Sequence, residues 1–195
     1  MTGIDPPEKA ETSVNPTSIL PNFPEGDFPE DHREYGIHLL LIIPIGLTDK
    51  IVFSIGNDNQ NWMSLGIDRE GRAVARISED ATSSFECRSA IFFAGLVDVA
   101  ALGPLHFGMQ WRLDSQNLLE VFLDGQIVAK TTISSRITMP DRLKFKLGSY
   151  SIFDASNSRI TAKRVIIYTT RLNSAELSQM SRALHDNLPN AGWEF

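Results

Sequence analysis

One stretch decides the fold class of this chain: Val121-Phe122-Leu123-Asp124-Gly125-Gln126-Ile127-Val128. Two apolar runs flank Asp124-Gly125, and an Asp-Gly dipeptide readily adopts the two positive φ angles of a type I′ turn. Because this turn twists in the same sense as the strands it joins, the pattern predicts a tight antiparallel hairpin.

A second stretch predicts a strand that runs into a helix. Val165-Ile166-Ile167-Tyr168 is an apolar, β-branched run, and Leu172-Asn173-Ser174-Ala175-Glu176-Leu177 follows it. Asn173 is placed to cap the helix, and Glu176 is placed to reach back to the free backbone donors. We expect a helix over residues 174–186, with an apolar stripe formed by Leu177, Met180 and Leu184.

The remainder of the chain from Tyr35 onward alternates short apolar runs with turn residues, which predicts further strands. We expect strands at 36–43, 50–56, 61–68, 72–78, 84–93, 104–113, 117–124, 127–133, 142–149 and 160–168. Short strands at regular spacing and one late helix are typical of an all-β, antiparallel two-sheet sandwich.

The order of these motifs resembles the concanavalin A-like lectin/glucanase superfamily, in particular its laminin G-like and pentraxin-like domains. The similarity covers roughly Asp49 to Leu184 and rests on four segments: His106 to Trp111, Leu123 to Gln126, Leu147 to Ser149, and Tyr168 with Leu172 and Ser174 to Glu176. The resemblance implies a jelly-roll sandwich. It also implies a protein that holds a ligand or partner, since enzymes are a minority in that superfamily.

Length and composition indicate a single soluble domain. The chain has 195 residues, an ordinary hydrophobic fraction of 42% and one cysteine, Cys87, so no internal disulfide can form. The first residues do not show a secretory signal pattern. The longest apolar run, residues 37–47, is shorter than the ~20 residues of a membrane helix. We therefore expect a protein made in the cytoplasm, with incorporation into a virion or other large particle as a further expectation.

Charge divides the chain into an arm and a domain. Residues 1–34 hold eight acidic and two basic residues and six of the ten prolines, whereas residues 35–195 are balanced. The first segment is predicted to be an acidic, proline-rich extended arm, and the second a laminin G-like β-sandwich domain. Because the domain has no basic stripe, nucleic acid is excluded as the main ligand.

The residues that could carry catalysis do not form a recognisable site. Glu120 and Asp124 are not on alternate strand positions as a glycosidase pair would be, and are interpreted as a paired or solvent-facing strand residue and a turn residue. The four histidines lack metal-ligand spacing, and Cys87 is interpreted as a structural thiol. We predict that the protein is not an enzyme and has no cofactor.

The densest cluster of oxygen ligands lies in one predicted turn. The candidate ligand-binding residues are Asn57, Asp58, Asn59, Asn61 and Trp62. Amide and carboxylate oxygens beside an aromatic ring suit either a glycan or Ca²⁺. The alternative is an ordinary polar turn with Trp62 packed in the core. This alternative is favoured because Asp58 is the one carboxylate among the five residues, and a calcium site usually has several.

Two functions remain open from the sequence. The first is a structural subunit of a larger assembly, such as a capsid decoration or tail protein, whose arm binds neighbouring protein subunits through Ile19, Leu20, Phe23 and Phe28. The second is a carbohydrate-binding module, with calcium dependence as an option, that uses the 57–62 loop. Neither function involves insertion into a membrane.

Overall fold

The computed structural model describes residues 26–27, 33–44, 47–57, 60–78, 84–92, 104–113, 117–133, 144–149, 160–188 and 193–194. Within these ranges lie β1 (Gly26–Asp27), β2 (Glu34–Ile42), β3 (Lys50–Asn57), β4 (Gln60–Ile67), β5 (Arg72–Ser78), β6 (Ser84–Phe92), β7 (Leu105–Arg112), β8 (Leu118–Leu123), β9 (Gln126–Thr132), β10 (Lys144–Leu147), β11 (Thr161–Tyr168), α1 (Ser174–Asp186) and β12 (Trp193–Glu194). The ten predicted strands and the helix are confirmed, each within two residues of its expected bounds.

The strands form two antiparallel sheets, as the sequence predicted. Sheet A has the order β1-β10-β3-β4-β5-β6, and sheet B has the order β12-β11-β2-β7-β8-β9. The chain passes from one sheet to the other between β1 and β2, β2 and β3, β6 and β7, β9 and β10, and β10 and β11. Because consecutive strands change sheets in this way, each sheet mixes segments that are far apart in sequence, and the whole is an all-β sandwich.

Apolar rows on the inner faces of both sheets make the main core. In sheet A one cross-strand row is formed by Leu147, Phe53, Leu65, Ala75 and Cys87. In sheet B a facing row is formed by Ile167, Ile37, Met109, Val121 and Ala129. All ten side chains belong to or pack against one hydrophobic cluster. Alternation with period two places the remaining residues of each strand on the outer faces.

The outer face of sheet B forms a second, smaller core beneath α1. Leu40, Ile166, Tyr168 and Leu184 make one cluster there, and Phe122, Leu172 and Leu177 make another. Met180 packs against both clusters, so the predicted apolar stripe of the helix is confirmed. This packing holds the helix against the sheet.

The helix begins at the predicted cap. Asn173 Oδ1 accepts hydrogen bonds from the backbone N of Ala175 and Glu176, at 2.9 and 3.1 Å. The Glu176 carboxylate in turn accepts from Asn173 N at 2.7 Å. This capping box satisfies backbone donors that the first turn of a helix leaves free.

The predicted hairpin turn lies against this helix. Asp124 and Gly125 have φ angles of 46° and 77°, as a type I′ turn requires. Gly125 O accepts from Ser178 Oγ at 3.3 Å, and Asp124 Oδ1 lies 3.3 Å from His185 Nε2. A Cβ on Gly125 would lie 2.8 Å from Ser178 Cα, so the turn needs glycine for its close approach as well as for its φ angle.

Two histidines are buried between sheet B and the helix. His38 Nδ1 and His106 Nε2 are 3.0 Å apart, and the two side chains are 1% and 0% exposed. The Phe122 ring lies 4.8 and 5.0 Å from the two imidazole rings, over Gly108, where a Cβ would meet it at 2.2 Å. The histidines are therefore packed residues in this core.

Burial sets the protonation state of this pair. Burial first, and then the neighbouring His106, hold the pKa of His38 well below its usual range. Burial, with a smaller contribution from His185, lowers the pKa of His106 to about 3. Both imidazoles are therefore neutral at pH 7, because a buried charge would be poorly solvated.

The described part of the chain also bears on two other expectations. Its helical segments include none that is long and apolar enough to span a bilayer. The arm anchors Ile19, Leu20, Phe23 and Phe28 lie outside the described residues. Of the predicted arm, Gly26–Asp27 is described as a strand that pairs with β10.

We predict that the free energy of unfolding falls as the pH drops from 6.5 to 5. The unfolded histidines take up protons below pH ~6.5 and the folded pair does not, so the stability lost per histidine steepens to about 1.4 kcal/mol per pH unit near pH 5. Urea denaturation at pH 7, 6 and 5 measures this slope. Over this range the carboxylates remain ionised and contribute little.

His106→Gln provides the matched variant, because the Gln amide can still face His38 but cannot titrate. Its stability should depend on pH about half as steeply as that of the natural chain. An unchanged slope in this variant would show that other groups cause the acid sensitivity.

Candidate functional site

A cavity lined by charged side chains lies where the β4–β5 turn meets the outer face of sheet A. Its volume is about 360 Å³, and its lining residues are Asp49, Asp68, Arg69, Glu70, Arg76 and Arg88. This volume is within the range of small-ligand sites, roughly 300–1,000 Å³. We call this feature the paired-charge cavity, for the ion pairs described below.

The turn that forms one wall is specified by local sequence. Asp68 stands at its first position and Gly71 at its fourth, as in a type I turn, and Gly71 N donates to Asp68 O at 2.9 Å. Gly71 has a φ of 78°, which glycine adopts at no steric cost. Asp68 Oδ1 accepts from the backbone N of Glu70 and Arg72, at 2.9 Å each. The Asp68 side chain thus closes its own turn.

Asp68 is the buried anion of the cavity. It is 8% exposed, and its Oδ2 accepts from Arg72 Nε at 3.1 Å and lies 3.4 Å from Arg88 Nε. Burial alone would raise its pKa, but the backbone and side-chain hydrogen bonds from Arg72 and Glu70 outweigh it and lower the pKa. Asp68 is therefore a carboxylate at neutral pH, with both oxygens held in place.

Strands β5 and β6 supply the second set of charges. Arg76 and Glu86 are cross-strand partners, and Arg88 is the partner of Val74, so all three charged side chains lie on the outer face. Glu86 accepts from Arg76 Nε at 2.8 Å and from Arg88 Nη2 at 2.6 Å. Burial would raise the pKa of Glu86, but these hydrogen bonds and charges lower it overall.

The rim of the cavity is more exposed. Arg69 Nε donates to Asp49 Oδ2 at 3.0 Å, and these side chains are 86% and 62% exposed. The Asp49 backbone N donates to Asp68 O at 3.1 Å, which fixes Asp49 beside the turn. Glu70 is paired with Arg72 on the same side.

This arrangement presents fixed donors and acceptors side by side, which suits a polar ligand with several hydroxyl groups. Carboxylates accept hydrogen bonds and guanidinium groups only donate them. Both Asp68 and Glu86 have lowered pKa values, so neither is a carboxylic acid ready to donate a proton. The described residues contain no group of three or more His, Cys, Asp or Glu side chains arranged to hold a metal ion.

The predicted ligand loop lies at the other end of sheet A. Asn57 ends β3 and pairs with Gln60, and Asn61 in β4 pairs with Gly56. Trp62 is partly buried and packs against the main core, as the alternative reading expected. Asp58 and Asn59 lie outside the described residues, so the proposed grouping of these five residues stays a prediction.

Three further residues have structural roles. Trp111 is buried in the main core, with its ring centre 5.7 Å from that of Tyr35. Cys87 is buried, and burial is the chief factor that raises the pKa of its thiol to about 12, in keeping with a structural residue. Asp124 is the expected turn former.

Glu120 is a paired strand residue, and it is buried. Its carboxylate accepts from Arg171 Nε and Nη2 at 2.7 and 2.9 Å, and from Gln110 Nε2 at 2.7 Å. Gln110 also bonds Leu172 N and O, at 3.1 and 3.0 Å. This network secures the segment between β11 and the helix to sheet B.

Sequence reasoning missed the paired-charge cavity. The signal available was the alternation of charged residues on two neighbouring strands, with Arg76 on β5 and Glu86 and Arg88 on β6. Such alternation is also typical of any solvated sheet face. Only the strand register shows that the charges pair with one another and with Asp68.

We predict that Asp68→Ala destabilises the fold by about 2 kcal/mol, because it leaves two partly buried backbone donors without their acceptor. Arg69→Ala is the matched control from the same turn. It removes an exposed ion pair and should change stability by less than about 0.5 kcal/mol. Urea denaturation of both variants at pH 7 measures the difference, and equal losses would contradict the buried role of Asp68.

Comparison with known proteins supports the fold. The sequence matches no family model and no curated protein. It is similar in structure to botulinum neurotoxin type C, whose cell entry is described as dependent upon interaction with two ganglioside molecules (TM-score 0.59, 11% identity, 80% of this chain and 37% of that one). It also resembles the binding domain of botulinum neurotoxin DC in complex with SialylT (0.58, 11%, 78% and 36%) and with rat synaptotagmin II (0.57, 11%, 78% and 36%).

At this identity the likeness is one of fold. This chain spans little more than a third of the length of each of those structures. Its two-sheet architecture is thus shared with part of known toxin binding domains, at a sequence identity of 11%.

Proposed function

We propose that this chain is a non-catalytic binding module with a concanavalin A-like, laminin G-like sandwich, and that it binds carbohydrate in the paired-charge cavity. The observation that carries the proposal is the preorganised set of Asp68, Arg76 and Arg88 in the cavity lining, with Glu86 behind them as the ion-pair partner of both arginines. These side chains hold one another in position before any ligand arrives, which reduces the entropy cost of binding.

Sugar chemistry fits such a wall. Each hydroxyl of a sugar is both a donor and an acceptor, so adjacent hydroxyls can donate to a carboxylate and accept from a guanidinium. Hydrogen bonds with a charged partner are roughly twice as strong as neutral ones. The cavity volume of about 360 Å³ suits one or two sugar rings at a chain end.

The structural neighbours add support of a general kind. One is described as interacting with gangliosides, which are glycolipids, and another is in complex with SialylT. A third is in complex with a protein, rat synaptotagmin II. Proteins that share this sandwich over part of their length are therefore described with glycolipid and protein ligands, and the cavity chemistry of this chain favours a glycan.

The same chemistry argues against a glycosidase at this cavity. A glycosidase needs one carboxylic acid whose pKa is raised, so that it can protonate the leaving oxygen. The pKa values of Asp68 and Glu86 are both lowered instead. The cavity is thus suited to binding without bond cleavage.

We predict that a glycan array with the purified chain gives defined hits, and that Arg88→Ala weakens them by about tenfold or more, since it removes a charged donor from the wall. Isothermal titration with a hit glycan measures the change. Lys130→Ala, an exposed change on β9 outside the cavity lining, is the control and should bind normally.

The double change Asp58→Ala and Asn59→Ala separates the cavity from the predicted loop. Normal binding in this variant with loss in Arg88→Ala places the ligand in the cavity. The reverse pattern would move the ligand to the 57–62 loop, and a blank array with folded protein would remove the carbohydrate proposal.

A second candidate function is that of a subunit in a larger assembly. One observation favours it: Gly26–Asp27, within the acidic proline-rich segment, adds to the edge of sheet A by pairing with Phe145 and Lys144 of β10. Backbone pairing at a sheet edge is a common way to attach an extended segment. In this candidate, the preceding residues lie across a neighbouring subunit, with Ile19, Leu20 and Phe23 as apolar anchors and Phe28 beyond the strand.

We predict that deletion of residues 1–25 leaves a folded protein with an unchanged melting temperature but abolishes self-association. Sedimentation velocity of the full and shortened chains measures this. The triple change Ile19→Ser, Leu20→Ser and Phe23→Ser keeps the arm and its charge and should behave like the deletion. If all three proteins show the same mass distribution, the arm does not join copies of this chain.

A further inference from the structure

We infer that the paired-charge cavity selects an uncharged sugar and binds it without a bridging calcium ion. This inference rests on the proposed function and names its ligand class. It follows from the ion pairs of the lining, in which each arginine already has a carboxylate partner. A basic or an acidic patch would instead leave charges of one sign without a partner.

The lining is electrically balanced. It contains three guanidinium groups and three carboxylates, namely Arg69, Arg76 and Arg88 with Asp49, Asp68 and Glu70. Behind the lining, Glu86 and Arg72 add one charge of each sign. The cavity therefore lacks the net positive potential that attracts a sialylated or sulfated glycan.

The pairing also works against an anionic ligand at close range. Arg76 is held by Glu86, and Arg88 is held by Glu86 and Asp68, at distances of 2.6 to 3.4 Å. A ligand carboxylate that approached either arginine would come close to one of these fixed carboxylates. Repulsion would offset the attraction, because like charges at such distances oppose each other as strongly as opposite charges attract.

A calcium ion meets the opposite obstacle. Calcium takes six to eight oxygen ligands, several of them carboxylate oxygens. The two Asp68 oxygens are already occupied by two backbone donors and two arginine side chains. Binding the ion would require a guanidinium group to leave a carboxylate that is 8% exposed, and the same positive charges would repel the ion.

An uncharged polyol avoids both obstacles. A hydroxyl can accept from a guanidinium N–H group of the lining and donate to the more exposed carboxylates of Asp49 and Glu70. The ion pairs remain intact, and no charge is brought in. The ion-paired side chains of the cavity bind the ligand as a set, because each one holds its partner in position.

The test is an array that contains neutral, sialylated and sulfated glycans, read with calcium and with chelator. We expect hits among neutral glycans, retained in chelator. Titration with one hit at 50 and 500 mM NaCl should change the dissociation constant by less than about twofold, since a neutral ligand is little affected by screening.

Glu86→Gln tests the charge balance directly. It leaves Arg76 and Arg88 with one carboxylate fewer and makes the cavity net positive, so affinity for acidic glycans should rise by about fivefold, the scale of one partly exposed charge pair. Lys130→Gln, which removes an exposed charge on β9 outside the cavity lining, should leave the selectivity as it is.

The outcomes separate this inference from the proposed function. Hits confined to sialylated or sulfated glycans, or lost in chelator, would overturn the inference and leave a carbohydrate-binding module. A blank array with folded protein would overturn both. Neutral hits that persist in Arg88→Ala but are lost in Asp58→Ala with Asn59→Ala would overturn the assignment to this cavity.

Discussion

Strands β2 and β7 are buried along almost their whole length, on both faces, so sheet B has to be covered twice. Sheet A covers one side, and α1 with the β11–α1 connection covers the other. A strand in an antiparallel sandwich ordinarily shows one face to water. The helix is therefore a necessary part of this domain, because without it Leu40, Phe122 and Ile166 would be exposed together.

The second core also contains polar groups, which have to be paired once they are buried. Glu120 and Gln110 are satisfied by Arg171 and by the backbone of Leu172, and this network sets the position of the helix start. The ring nitrogens of the histidine pair are less completely hydrogen-bonded. Among the described residues, His38 Nε2 and His106 Nδ1 have no hydrogen-bond partner, so their hydrogen bond to each other is the main polar interaction of these rings.

The two sheets thus have different roles in the molecule. Sheet B is fully engaged in holding the sandwich and the helix together. Sheet A has one apolar face and carries charged side chains on the other, near the turn at Asp68. A rigid sheet with short, closed turns is a good support for a binding site, since the side chains are fixed by the register of the strands.

Local patterns determined most of the fold. The Asp124-Gly125 turn, the Asn173 cap with Glu176, and the period-two alternation of the strands depend on neighbours within a few residues, so sequence alone located the strands and the helix. The fold class followed, because regular strands and one helix have few ways to pack. The turn at Asp68 is of the same local kind.

The paired-charge cavity and the histidine pair were decided by the tertiary structure. Arg76 faces Glu86, and Arg88 lies within reach of Asp68, because β5 and β6 pair in the register that sets Arg76 opposite Glu86 and Val74 opposite Arg88. His38 meets His106, 68 positions away, because β2 lies beside β7. The alternation of a strand indicates which of its residues share a face, but not which other strand pairs with it. That choice depends on the packing of whole sheets, since strands that are distant in sequence are brought together only when the two cores form.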